Sequence, residues 1–211
     1  MLSPRRACEQ PIALVESGPI GGCIGAAVYA KSLGIDKLIA FDMGGTTAKC
    51  ALVERSRFEV QPTYYVGGYE YGFPVRTPVL DIVEVGTGGG SIAFVDEQSR
   101  LHVGPRSAGS TPGPVCFGRG GSEPTVTDAN VVLDRISGGA FLSGALQLDR
   151  DASVVAVVER VGKALGYESA GEADTVASGI LALANAQMAS AIREITIERG
   201  KDVREFTLFL F

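Results

Sequence analysis

The run Phe41-Asp42-Met43-Gly44-Gly45-Thr46-Thr47-Ala48-Lys49 carries the strongest chemical signal in the chain. An acidic residue follows an apolar stretch. Two glycines then let the backbone turn tightly and bring N–H groups to an anion. Two hydroxyls and a lysine come next. The set suits a polyphosphate, with Gly44, Gly45, Thr46, Thr47 and Lys49 binding it and Asp42 holding a divalent cation directly or through water. The spacing is not G-x-x-x-x-G-K-[ST], and the run leads into a strand rather than a helix, so neither a P-loop nor a dinucleotide fingerprint fits. A Gly-Gly β-hairpin with polar decoration is the alternative reading.

A second run, Asp81-Ile82-Val83-Glu84-Val85-Gly86-Thr87-Gly88-Gly89-Gly90-Ser91, places two carboxylates before a glycine-rich turn. Asp81 and Glu84 join Asp42 as candidate metal ligands. They fall on opposite faces of an ideal strand and converge only if the strand ends at Glu84. Gly88, Gly89 and Gly90 are candidates for lining a bound ligand. The third feature is the Gly-, Pro- and Ser-rich stretch 104–124. It exceeds the ~12–15 residues beyond which loops in compact domains are usually functional or disordered. Arg106 and Arg119 on it are candidate anion- and substrate-contacting residues. Asp128 beyond it either coordinates or positions a reactant, or simply occupies a first helical turn where acids are favoured. Asp42 and Asp128 are thus the candidate catalytic carboxylates. His102 is the one histidine, so no Ser-His-Asp constellation is available. Arg193, Glu194, Glu198 and Arg199 read as a solvated helix face.

Elements must position these groups. Residues 1–10 read as a frayed or boundary segment. A helix is expected from the turn Glu16-Ser17-Gly18, capped by Ser17 or Gly18, to Gly34. Strands are expected at 37–41 and 50–54, flanking the first glycine loop, and at 57–61, 79–84, 91–95 and 101–103. Thr127-Asp128 reads as the cap of a helix over 129–136. Helical spacing covers 149–165, with Val154, Val157, Val158 and Val161 on one face. It resumes over 171–199, with Val176, Ile180, Leu183, Met188, Ile192 and Ile195 as core positions. Phe206–Phe211 reads as a buried strand at which the chain was cut. Strands followed by helices indicate an α/β or α+β domain.

Composition narrows the classes. Apolar residues make up 45% and charged residues 20%, ordinary globular usage. The net charge of −5 argues against a non-specific nucleic-acid binder, which needs a basic footprint. Glycine stands at 28 of 211 residues, well above the usual ~7%. No stretch reads as the ~18 apolar residues of a membrane span, and the N-terminus lacks the apolar segment of a secretory signal. Four scattered cysteines without a C-x-x-C pair give no zinc site and suit reduced thiols in the cytoplasm.

Six successive blocks resemble the hydantoinase A / 5-oxoprolinase / acetone carboxylase β-subunit family. They are VESGPIGGCIGAA, FDMGGTTAK, PVLDIVEVGTGGGSIAFVD, VGPRSAGSTPGPVCFGRGG, PTVTDANVVLDRI and IREITIERGKDVREFTLFLF, spanning residues 11–211. Thr87 departs from the small residue expected there, and Cys116-Phe117 from the usual Ala-Cys-Tyr. The resemblance implies an α/β fold: a ribonuclease-H-like lobe of the actin/Hsp70/sugar-kinase ATPase type, a mixed sheet with packed helices. It implies ATP and Mg²⁺ (or Mn²⁺) as cofactors and activation of a carbonyl by phosphorylation. The outcome would be opening of a cyclic amide such as hydantoin or 5-oxoproline, or carboxylation of a ketone. A non-catalytic, nucleotide-responsive module of the same fold is the further alternative. Residues 11–211 would form a nucleotide-binding domain truncated at both ends and nearly inactive alone. The full enzyme would be an oligomer with a hydantoinase B-type partner subunit or domain.

Overall fold

The computed structural model describes residues 3–67, 71–137 and 146–211. The chain divides into two compact units. The first comprises Met1–Asp42, Lys49–Val83 and Ala191–Phe211, and the second Met43–Ala48 and Glu84–Ser190.

In the first unit, strands β1 (Lys37–Met43) and β2 (Ala48–Glu54) are joined by the short connection Gly44–Thr47. So short a link allows only an antiparallel pair. β10 (Thr207–Leu210) runs parallel to β1, with Leu38 opposite Thr207 and Phe41 opposite Leu210. The mixed sheet has the order β10-β1-β2-β7, where β7 is Val83–Val85. Helix α2 (Ser17–Leu33) covers it. Its small residues Cys23, Ala26, Ala27 and Ala30 let its backbone approach Leu38, Ala40, Ala51 and Val53 closely. Two small antiparallel pairs complete the unit: β3 (Val60–Gln61) with β6 (Val79–Leu80), and β4 (Tyr64–Val66) with β5 (Phe73–Val75).

In the second unit, β8 (Ser91–Val95) and β9 (Leu101–Ser107) form a bulged hairpin. Helices α3 (Val126–Val132), α4 (Arg150–Val157) and α5 (Ala173–Ile195) belong largely to this unit. Ala93, Val103, Val132, Val157, Val161 and Ile180 are fully or almost fully buried together. Burying each valine or isoleucine stabilises by about 1.5–3 kcal/mol. α4 passes through a π turn, Val158–Gly162, which keeps Val158 and Val161 in the core.

Several expectations shift. Residues 4–9 form a short helix, α1 (Pro4–Glu9), because Ser3 accepts from Arg6 N and Pro4 suits the first turn; residues 1–2 lie outside the described set. α2 starts at Ser17, itself one of the two expected caps. Glu16 occupies the cap position at φ 58°, and its side chain makes no cap bond. The 79–84 strand breaks at Asp81–Ile82 into β6 and β7. The cap of α3 is Thr125, with Asp128 completing a capping box, rather than Thr127. β10 lies at the sheet edge, and Leu208 and Leu210 are 48% and 67% exposed, so it is not a buried strand. By length and composition, Ala170–Arg199 does pass for a membrane span, but Val176, Ala177, Ile180, Leu181 and Ala184 on it line the core of the second unit.

Burial pushes the Cys23 thiol up to about 11, with Asp42 adding to the effect, and the Cys50 thiol up to about 12, with Glu194 adding. Cys116 is raised as well, by burial and the Asp128 carboxylate. The folded values exceed the unfolded one, so the contribution of these thiols is intact below pH ~9 and is lost as the pH rises toward 11–12. We expect the melting temperature to fall between pH 9 and 11, with only the exposed Cys8 alkylated by iodoacetamide at pH 8. Rapid alkylation of Cys23 or Cys50 in the folded protein would contradict this.

Candidate phosphate site

Two glycine loops of the second unit are built into one another. Gly89 N donates to Gly44 O at 3.0 Å, and Gly90 N to Gly45 O at 2.6 Å. Gly44 N donates to Thr47 O at 3.0 Å and closes the first loop on itself. Approach is so close that side chains are excluded. A Cβ on Gly88 would lie 2.6 Å from Gly44 O and 2.7 Å from Thr46 N. One on Gly90 would lie 2.9 Å from Gly45 O. Residues 44–46 remain exposed. Among the described residues, the N–H groups of Gly45 and Thr46 and the hydroxyls of Thr46 and Thr47 have no protein partner. Unfilled donors on a pinned backbone are what an anion nest requires.

Residues the sequence reading did not single out hold these loops. Ser107 Oγ donates to Gly45 O at 3.4 Å, and Ala108 N to Gly90 O at 2.8 Å. Thr87, 1% exposed, donates its hydroxyl to the Gln187 amide oxygen, while Gln187 Nε2 donates to Val103 O at 3.1 Å. α5 therefore anchors the second glycine loop through a glutamine. No local pattern reveals that pair, because its members lie 100 residues apart.

The charged candidates scatter. Asp42, near the end of β1, is partly exposed, and its side chain makes no hydrogen bond or ion pair among the described residues. It shares a narrow crevice of the first unit with Lys49, Cys23 and Cys50. Lys49 is held by Glu16 at 2.6 Å, both side chains being 17% exposed, and Tyr64 OH donates to the same carboxylate at 3.3 Å. Asp81 is not available as a metal ligand: it is buried and bound by Arg199, whose second nitrogen lies 3.4 Å away. Arg199 is accordingly no solvated bystander. Glu84 is exposed on β7. Among the described residues, no group of three or more His, Cys, Asp or Glu side chains could hold a metal, so Asp42, Asp81 and Glu84 do not assemble into one site. Mg²⁺ on a nucleotide takes most of its ligands from phosphate and water and needs only one or two carboxylates, so Asp42 fits that role.

Asp128 is fully buried, and five protein donors converge on it. They are Val115 N, Cys116 N, Thr125 N, Thr125 Oγ1 and Ser153 Oγ, at 2.8–3.1 Å. A carboxylate has about four lone-pair sites, and these are used up. The carboxylate thus staples the 104–124 loop to α3, and no reactant reaches it. On that loop Arg106 pairs with Glu123 at 3.0 Å and lies over the Phe94 ring. Arg119 lies over Phe117.

An Asp42→Asn protein should fold normally, since no protein contact is lost. Its half-saturating Mg²⁺ concentration for nucleotide-dependent activity should rise about tenfold or more, by analogy with other perturbed metal sites. An unchanged Mg²⁺ dependence would remove Asp42 from the site.

Comparison with known proteins extends the geometry. Residues 1–211 match the hydantoinase/oxoprolinase family. The caprolactamase subunit alpha of Pseudomonas jessenii is 40% identical over 200 residues, covering 95% of this chain and 28% of that one. The acetophenone carboxylase gamma subunit of Aromatoleum aromaticum is 40% identical over 195 residues, covering 92% and 26%. Among solved structures, nucleotide-free acetone carboxylase aligns with a TM-score of 0.80 at 28% identity, over 92% of this chain and 26% of that one. The ATP-dependent caprolactamase of Pseudomonas jessenii aligns at 0.74 and 40%, over 92% and 27%. The chain spans less than a third of the length of these curated relatives. Its mixed α/β architecture agrees with an actin-type ATPase lobe. With the match running the length of the chain, the chain belongs to the hydantoinase/oxoprolinase family.

Proposed function

We propose that the protein is part of an ATP-dependent enzyme that opens a cyclic amide of the hydantoin or 5-oxoproline type. The observation that carries this reading is the pair of interlocked loops, Gly44–Thr47 and Gly86–Ser91, with free N–H and hydroxyl donors on an exposed rim. The names of its relatives, a caprolactamase subunit and two ketone carboxylases, support ATP chemistry on a carbonyl. In the proposed reaction the amide oxygen attacks the γ-phosphorus of ATP. The new P–O bond forms as the bond to the β-phosphate oxygen breaks, and ADP leaves. Water adds to the activated carbon, and the ring C–N bond breaks with a proton going to nitrogen. A second water then releases inorganic phosphate from the acyl phosphate. Gly45 and Thr46 N–H groups and the Thr46 and Thr47 hydroxyls hold the phosphates in line, the main protein contribution to phosphoryl transfer. Mg²⁺, when bound, would neutralise phosphate charge, with Asp42 as its protein ligand.

ATP-dependent ketone carboxylation is the second reading, favoured by the TM-score of 0.80 to acetone carboxylase. Relatives named as alpha and gamma subunits support a partner subunit, for which we propose the hydantoinase B type. Four unbridged cysteines suit a cytoplasmic location. The test is phosphate release from ATP by the full-length protein with its co-purifying subunit and Mg²⁺ or Mn²⁺. Hydantoin, 5-oxoproline, and acetone with bicarbonate are added in turn. Stimulation by either cyclic amide supports the first reading, and stimulation only by acetone with bicarbonate replaces it with the second.

A further inference from the structure

The loop 104–124 encloses more than the sequence suggests. A cleft of about 530 Å³ opens in the second unit, lined among others by Arg106, Ser107, Thr111 and Glu123. That volume lies in the ordinary range for small-molecule sites. Its wall is bonded directly to both phosphate loops, Ser107 Oγ to Gly45 O and Ala108 N to Gly90 O. The cleft therefore adjoins the proposed phosphate site. Asp128, by taking Val115 N and Cys116 N, keeps the far side of the loop in place.

We propose that this cleft seats the substrate of the reaction proposed above and that Arg106 selects substrates bearing a carboxylate beside the cyclic amide. The guanidinium already grips a carboxylate, Glu123 Oε1 at 3.0 Å. Both partners are well exposed, at 61% and 47%, so their pairing is weak and exchangeable. Phe94 lies beneath the guanidinium, 5.6 Å from ring centre to Cζ, and holds it in place when Glu123 swings away. The Phe94 ring is itself stacked against His102, which is bonded to Asp96 at 2.7 Å. A guanidinium fork matches a carboxylate through two parallel bonds, a geometry that a neutral ring substituent cannot return. Thr111 supplies a hydroxyl to the uncharged part of the ligand.

The test uses the full-length protein and two lactams with the same ring, 5-oxoproline with a carboxylate and 2-pyrrolidinone without. Binding of each is measured by calorimetry in the presence of a non-hydrolysable ATP analogue. We expect 5-oxoproline to bind at least tenfold more tightly. Arg106→Gln should abolish that preference while leaving 2-pyrrolidinone binding unchanged, and Arg106→Lys should keep part of it. Glu123→Gln, which removes the competing carboxylate, should tighten 5-oxoproline binding. Equal binding of the two lactams, or an equal loss of both on Arg106→Gln, overturns the proposal. Phosphate release measured on the same proteins judges the reaction itself. Arg106-dependent binding without ATP turnover would keep the subsite and sink the proposed chemistry.

Discussion

Replacing Gly88 by alanine should lower ATP-dependent turnover by about 100-fold. The added methyl carbon would lie 2.6 Å from Gly44 O, 2.7 Å from Thr46 N and 2.8 Å from Gly45 C. All three are backbone atoms, so no side chain can rotate away. The two loops must separate, and a misplacement of ~1 Å at a reacting centre costs on the order of 10²-fold in rate. Because the hydrogen bonds from Gly89 and Gly90 link the same loops, the displacement carries to the free donors of Gly45 and Thr46. The stability cost should stay within about 1–3 kcal/mol, typical of overpacking. Gly18→Ala, where an added Cβ meets nothing within 4 Å, serves as the control and should leave turnover unchanged. If Gly88→Ala turned over ATP at the normal rate, the interlocked loops would not be the phosphate site.

For Asp128 the loss should appear in stability. Asp128→Ala strands two backbone N–H groups of the 104–124 loop and the Thr125 N–H and hydroxyl, and leaves the Ser153 hydroxyl only the Asp149 carbonyl at 3.3 Å, all next to a site with no solvent exposure. Removing one partner of a buried charged network costs about 3–5 kcal/mol. In a chain of this size that corresponds to a fall in melting temperature of about 10 °C. Asp128→Asn should fare almost as badly, because its NH₂ faces donors rather than acceptors. A protein of normal stability that had lost only turnover would return Asp128 to the catalytic candidates.

The contrast between these two residues shows where sequence reasoning reaches. The strand–loop–strand of β1 and β2 is legible because an apolar run, a short Gly-Gly link and a second apolar run leave the backbone one compact solution. The helices α4 and α5 are legible from their 3.6-residue spacing, and Val157, Val161, Val176 and Ile180 are buried as that spacing requires. Asp128 was less legible. Thr125-x-x-Asp128 and Thr127-Asp128 both look like helix starts, and the choice depends on Val115, Cys116 and Ser153 arriving from elsewhere in the chain. The role of Asp81 is hidden in the same way. Its partner Arg199 is 118 residues away, and locally Asp81 looks like a candidate metal ligand and Arg199 like part of a solvated helix face.

The sequence by itself determined the family and the strand–loop–strand elements that carry the first glycine loop, because those depend on residue type and short-range spacing. Only the tertiary structure decided that Gly88 and Gly90 press against Gly44 and Gly45, that Gln187 anchors Thr87, that Asp81 and Asp128 are engaged by protein donors, and that Arg106 overlooks a cleft beside the glycine loops. The physical reason is that a carboxylate or a glycine has the same local signature whether it meets solvent, a ligand or a distant piece of the same chain. Which of these it meets is set by burial and long-range pairing, and these exist only once the chain has folded.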